Sequence, residues 1–157
     1  MASPPGKWLT GLCDCFAEGC CGVCCAVCWC PEITTGQLYQ RINGGNCLLI
    51  TIFLFILWGA YILLVVVSSI DWRLAWLANV ASLCSMFAFL IMCAVVCKVR
   101  KAIRKRDGIA AENCSEDCED CCCACWCGPC TQCQIFRQEE INCAKYQICS
   151  KTATTNV

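Results

Sequence analysis

Cys47–Val67 reads CLLITIFLFILWGAYILLVVV, and Leu74–Cys97 reads LAWLANVASLCSMFAFLIMCAVVC. The first run is 21 residues without a charge and the second is 24. A bilayer core of about 30 Å needs about 20 helical residues, so each run is long enough to span. Only Ser68 to Arg73 separates them, so the two helices must form a tight hairpin. Burying both inside a soluble protein would need apolar surface that the rest of the chain lacks.

Working outward, the basic residues set an orientation. Lys98, Arg100, Lys101, Arg104, Lys105 and Arg106 follow the second run, whereas the hairpin loop carries only Asp71 and Arg73. The positive-inside rule puts the basic end in the cytosol, and both termini with it. The first residues have no apolar stretch of a signal peptide and no glycine at position 2 for myristoylation. The expected organisation is a cytosolic module over 1–46, a transmembrane hairpin over 47–97 (helices 47–67 and 74–97), and a basic stretch with a second cytosolic module over 98–157. The fold class is an all-α membrane protein.

Composition narrows the chemistry. The chain has 157 residues and 23 cysteines, roughly 15% cysteine, a level that marks a disulfide or metal scaffold. Mean hydropathy is +0.58. Twelve basic and twelve acidic residues cancel, leaving no global basic field for nucleic acid. There is no histidine, which removes histidine acid–base chemistry and Cys2His2 zinc sites. No nucleophile–base pair or cofactor loop appears, and an enzyme is not expected.

Eight cysteines lie between Cys13 and Cys30, and nine between Cys114 and Cys133. Facing the cytosol, both clusters meet a reducing compartment where thiols persist. The alternative, a secreted disulfide framework, needs the opposite orientation. Cysteines spaced C-x-x-C can reach one metal ion, and two pairs complete a tetrahedral zinc site. Cys21/Cys24, Cys25/Cys28, Cys118/Cys121, Cys122/Cys125 and Cys127/Cys130 have this spacing. Metal-binding thiolates and acylated thiols near the membrane are both open readings, as is structural zinc that only holds the modules together. Glu116, Asp117, Glu119 and Asp120 would raise local cation concentration or form a solvated acidic linker.

The two clusters align at a shift of 97 residues. Cys21, Cys24, Cys25, Cys28, Trp29 and Cys30 fall on Cys118, Cys121, Cys122, Cys125, Trp126 and Cys127; Thr34 and Gln37 fall on Thr131 and Gln134. Thr-x-x-Gln is a capping-box pattern, so each copy reads as an irregular Cys-rich knot opening into a short helix. Asn43-Gly44-Gly45 should end the first of these helices; the second could run through Ile141 toward Tyr146.

In the second membrane helix, Asn79, Ser82, Met86, Leu90, Cys93 and Cys97 share one face. Polar groups in hydrocarbon turn toward protein or water. The stripe is a candidate pore lining in an assembly of about four to six copies, or a helix-packing face. Arg100 and Arg104 would extend the same face and oppose cation passage.

Trp8-x-Thr10-Gly11-Leu12-Cys13-Asp14-Cys15-Phe16, then Cys24-Cys25-x-x-Cys28-Trp29-Cys30-Pro31, Thr34-x-Gly36-Gln37, and Cys127-x-x-Cys130-x-x-Cys133-Gln134-x-Phe136-Arg137 resemble the placenta-specific 8 motif family. Plant cadmium resistance proteins, cell number regulators and cornifelin belong to it. The resemblance implies small membrane proteins that self-associate, often at the plasma membrane. In the cadmium-resistance branch they export zinc or cadmium; in others they affect organ size and cell number. It implies Cys28, Cys30, Cys127 and Cys130 as metal ligands, and Gln37 and Gln134 as helix-start residues. Three departures stand out: Glu32 replaces a cysteine of the family's Cys-Pro-Cys, a hard ligand for a soft one and another cation-attracting carboxylate; Thr35 replaces a phenylalanine; and the histidine common in the family's second motif is absent. The expectation is a homo-oligomeric channel or exporter for divalent metal ions. The alternative is a non-transporting membrane scaffold or regulator with structural zinc or acylated cysteines such as Cys97.

Overall fold

A computed structural model describes residues 6–14, 22–112, 114–141, 146–150 and 153. Among them there are six α-helices and no strand: α1 (Gly22–Trp29), α2 (Pro31–Asn43), α3 (Cys47–Ile70), α4 (Trp76–Asp107), α5 (Glu116–Trp126) and α6 (Gly128–Gln138). One 3-10 turn, Trp72–Leu74, joins α3 to α4.

The hairpin is longer than its apolar runs. α3 continues to Ile70, and α4 begins two residues later than expected and continues ten residues past Cys97. Nothing stops α4 sooner: no glycine or proline occurs between Cys97 and Gly108, and Arg104, Lys105 and Arg106 suit the negative end of the helix dipole. Gly108, left-handed at φ 67°, caps it and donates its N–H to the Arg104 carbonyl. Thirty-two residues make about 48 Å of helix, some 18 Å more than a bilayer core. Both helices are long and apolar enough to cross a membrane, and little of their most apolar stretches is buried.

The other helices gather at the shared end of the hairpin. A core of Val27, Leu38, Val96, Val99, Ile103, Ala124, Ile135 and Phe136 packs α1, α2, α5 and α6 together beside the C-terminal half of α4. Both Cys-rich segments thus lie at one end of the hairpin.

These segments are helical, not irregular knots. α1 and α2 are separated only by Cys30, and α5 and α6 only by Cys127. The two break residues have similar backbones, φ −136°, ψ 56° and φ −130°, ψ 44°. Pro31 at the first turn of α2 and Pro129 at that of α6 tolerate the missing N–H there. The helices therefore start before Thr34 and Thr131, and the capping-box reading is corrected. Thr34 and Gln37 lie inside α2 and bind distant partners instead. α2 ends at Asn43 with Gly44 left-handed, where the Asn-Gly-Gly sequence predicts. α6 stops at Gln138, well short of Tyr146: Glu140 turns at φ 57°, and Ile141 folds back into the core.

Gly36 sits inside α2, where alanine propensity alone would favour replacement by about 1 kcal/mol. A Cβ there would stand 2.9 Å from the Cys47 carbonyl oxygen, 3.2 Å from Cys47 Sγ, and against the Thr51 hydroxyl. The backbone carbonyl cannot retreat like a side-chain tip, so overpacking wins. Gly36→Ala should destabilise the α2–α3 contact by about 1–3 kcal/mol, seen as a lower thermal midpoint in detergent; an unchanged or raised midpoint would refute this packing.

Candidate thiol site and the buried charge cluster beneath it

α5 runs antiparallel along α4, and the pairings follow in order. Asp117 meets Lys101. Asp120 meets Arg104 and Arg100. Ala124 offers its carbonyl to Cys93 Sγ at 3.7 Å. One end of α5 thus lies against the basic turns of α4 and the other against its apolar run.

The centre of this contact is a closed set of charges. Arg100 Nε donates to Asp120 Oδ1 at 2.9 Å. Arg104 donates to the same carboxylate from Nε at 3.1 and 3.2 Å and from Nη2 at 2.8 Å, and to Glu119 at 2.7 Å. Asp120 is fully buried, and both arginines are 2% exposed. The Arg100 guanidinium also lies 4.3 Å from the centre of the Trp8 ring, a cation–π contact that tolerates desolvation, and it donates to Gln134. Burial alone would lower the Arg104 pKa, but the hydrogen bonds it donates to Asp120 and Glu119 outweigh burial and raise it.

This cluster corrects two expectations. Arg100 and Arg104 do not extend a pore face; they turn inward to Asp120. Glu119 and Asp120 are not free to attract cations, because their charge is taken by buried arginines that would otherwise be stranded. Asp117 pairs with Lys101. Glu116 is exposed, and Glu32 lies in the first turn of α2.

The thiols lie on the outer side. Cys118, Cys121 and Cys122 are exposed, Cys123 and Cys125 half-buried, and Cys114 is exposed just before α5. Cys118 Sγ and Cys122 Sγ are 4.0 Å apart, close to the ~3.8 Å between two sulfurs on one tetrahedral zinc. The pair that approaches is therefore i, i+4, because the segment is a helix. Hydrogen bonding with a neighbouring thiol raises the pKa of three of them: Cys125 acts on Cys121, and Cys118 acts on Cys122 and on Cys114, the last pushed up to about 11. Burial raises Cys123. A metal ion must displace these protons to bind.

The remaining expected ligands are spread out. Cys25 and Cys28 are exposed on α1, whereas Cys24 is buried in the core. Cys30 and Cys127 sit at the two helix breaks, and Cys130 is half-buried on α6. Cys21 lies outside the described residues. Among the described residues no three Cys, Asp or Glu side chains converge as one metal-ligand set. The stripe on α4 divides likewise. Asn79, Ser82 and Met86 are exposed, with Ser82 Oγ donating to the Ala78 carbonyl of its own helix at 3.0 Å. Cys93 is buried and Cys97 half-buried, both on the part of α4 that α5 follows.

Gln132 had no local signal, and Thr34, Gln37 and Gln134 carried one for a different role. Gln132 accepts from Thr34 Oγ1 at 2.6 Å and donates to Thr35 at 3.2 Å, tying α6 to α2. Gln37 Nε2 donates to the carbonyls of Gln147, Ile148 and Ser150 and accepts from Tyr146. Gln134 joins Arg100 to the Thr10 carbonyl. Gln37 and Gln134 thus clamp distant segments and do not start helices.

The PLAC8 family model matches residues 8–138. The chain belongs to the PLAC8 family. Among its relatives, cell number regulator 11 of Zea mays is 30% identical over 138 residues, 87% of this chain and 65% of that protein. Cell number regulator 4 of Zea mays is 29% identical over 86% of this chain and 67% of its own length. PLANT CADMIUM RESISTANCE 2 of Arabidopsis thaliana is 46% identical over 41 residues, 26% of each chain. No solved structure matches. The family match begins at Trp8 and ends at Gln138, so it covers the hairpin, both Cys-rich segments and the charge cluster.

Proposed function

We propose that this PLAC8 protein captures divalent zinc or cadmium ions on cytosolic thiols and, as a homo-oligomer, passes them across the plasma membrane. The observation that carries this reading is the file of sulfurs along α5. It starts at exposed Cys118 and Cys122 and ends at Cys125, which lines one cavity with Cys93 of the membrane helix and Cys28 of α1. Soft thiolate donors suit zinc and cadmium, and the similarity to a protein named for cadmium resistance supports the same cation class. A hairpin encloses no channel, so about four to six copies would supply the lining, with Asn79, Ser82 and Met86 facing inward. The matching backbones at Cys30 and Cys127 support equivalent modules, each presenting exposed thiols. Both termini are cytosolic in this arrangement, and tags at either end should be inaccessible to antibody on intact cells.

Cadmium flux into proteoliposomes carrying a metal-sensitive dye tests the reading. Flux should exceed that of protein-free vesicles and fall severalfold in Asn79→Leu while the oligomer persists. A second reading, a non-transporting membrane regulator of cell number, is favoured by the wider match to the cell number regulators than to the cadmium resistance protein. Metal binding without flux would decide for it.

A further inference from the structure

Trp29 and Trp126 are 84% and 86% exposed, more than any other large apolar side chain among the described residues. They end α1 and α5, at equivalent places 97 residues apart. Neither carries any burden in the core. A tryptophan left open to water at both ends of a paired motif needs a partner, and its depth along α4 indicates which one.

The depth can be read from the hairpin. Trp76–Cys97, the apolar part of α4, is about 33 Å, some 3 Å more than the hydrocarbon of a bilayer. If the surplus lies at the basic end, the hydrocarbon boundary falls near Val95, within a turn of Cys93. A cavity of about 310 Å³ at that level is lined by Phe89 and Cys93 of α4, Cys28 of α1, and Cys125 and Trp126 of α5. Phe89 and Leu90 beside it belong to the exposed apolar belt of the hairpin. The tips of α1 and α5 therefore reach the level where α4 enters lipid.

Charge follows the same gradient. Glu116, Asp117, Glu119 and Asp120 occupy the first half of α5, and Cys121 to Trp126 carry no charge; α1 has none at all. Each helix presents an uncharged end toward the hairpin and finishes in an indole, an amphipathic ring that prefers the headgroup–acyl boundary.

We infer that α1 and α5 dip into the bilayer interface, with Trp29 and Trp126 seated among phospholipids at the headgroup–acyl boundary as paired anchors. This rests on the membrane reading of the hairpin. It places Cys28 and Cys125 at the lipid edge and makes the Cys-rich segments partly monotopic.

Tryptophan quenching tests it in the full chain. Variants keep Trp8, which packs on Arg100, plus one of Trp29, Trp126 or Trp58, with the other tryptophans changed to phenylalanine. Each is placed in phosphatidylcholine vesicles brominated either near the headgroup end or near the middle of the acyl chain. Trp29 and Trp126 should lose most of their emission to shallow bromines, less to deep ones, and little to aqueous iodide. Trp58, central in α3, should be quenched best by deep bromines. Iodide quenching of Trp29 and Trp126 without lipid quenching would overturn the inference and leave the membrane reading intact. Quenching by neither would overturn it in favour of a second protein copy on that surface. Failure of bromines to quench Trp58 would remove the membrane reading itself.

Discussion

Asp120→Asn is expected to destabilise the protein by about 3–5 kcal/mol, the range for removing one partner of a buried ion pair. The carboxylate is fully buried and holds both Arg100 and Arg104. Asparagine keeps the shape but offers a neutral acceptor and adds two donors. Glu119 can neutralise one guanidinium, at 2.7 Å from Arg104, and the Trp8 ring supports the other, but one net positive charge would remain buried. Against a total stability of about 5–15 kcal/mol, the change is large enough to lower folded yield. The measurement is the thermal or denaturant midpoint of detergent-purified protein. Asp117→Asn is the control: its pair with Lys101 is exposed, and the midpoint should not move. Equal midpoints for Asp120→Asn and the unmodified protein would mean the cluster is not a stabilising element.

Cadmium affinity is expected to rise about 100-fold per pH unit between about pH 6 and about pH 8, because binding to a thiol pair releases two protons. The sign follows from the direction of the shifts. Cys114, Cys121 and Cys122 are held above the ordinary thiol value, so they are protonated through this window and compete with the ion at every step. Two protons lost per ion give a slope of two in log affinity against pH. Carboxylate ligands, already ionised, would give a slope near zero. The readout is the ultraviolet absorbance of cadmium–thiolate bonds during titration. Cys118→Ser with Cys122→Ser should reduce affinity by on the order of tenfold or more. A flat pH profile, or an unchanged affinity in that double variant, would remove α5 as the capture site.

The two tests separate the parts of the site. The inner face of α5 carries Asp120, and its outer face carries Cys118 and Cys122. Asp120→Asn should therefore act on stability first and on metal affinity only through unfolding, whereas the cysteine variants should leave the midpoint nearly unchanged, since both thiols are exposed. Such a division is expected where a buried charge cluster positions a functional face without belonging to it.

Much of the scaffold was legible in the residues. Two uncharged runs and a six-residue gap specify a hairpin, because chain length across a bilayer and backbone hydrogen bonding admit little else. A hairpin returns both flanks to one end, so the co-location of the Cys-rich segments follows from sequence. Asn43-Gly44-Gly45 fixed the end of α2 through a left-handed glycine. The shift of 97 residues aligned Cys30 with Cys127, but it read the segments before them as irregular, whereas they are helices. Each of these depends on local chemistry or simple counting.

What the tertiary structure alone decided is which polar groups face each other. Spacing placed Arg100 and Arg104 on one face of α4, but only the docking of α5 made that face an inner one, with Asp120 closed between them. Glu119 and Asp120 look in sequence like their neighbours Glu116 and Asp117; a helical turn separates the buried carboxylate from the exposed ones. Thr34 and Gln37 match a helix-start pattern, yet their partners are Gln132 and the carbonyls of 147–150, about a hundred residues away in the chain. Local patterning located the two hairpin helices and the end of α2, but neither the helices α1 and α5 nor the full lengths of α4 and α6. The desolvation cost of buried charge and amide groups then selects the one packing that pairs them, and that choice is made between elements, where no window of sequence reaches.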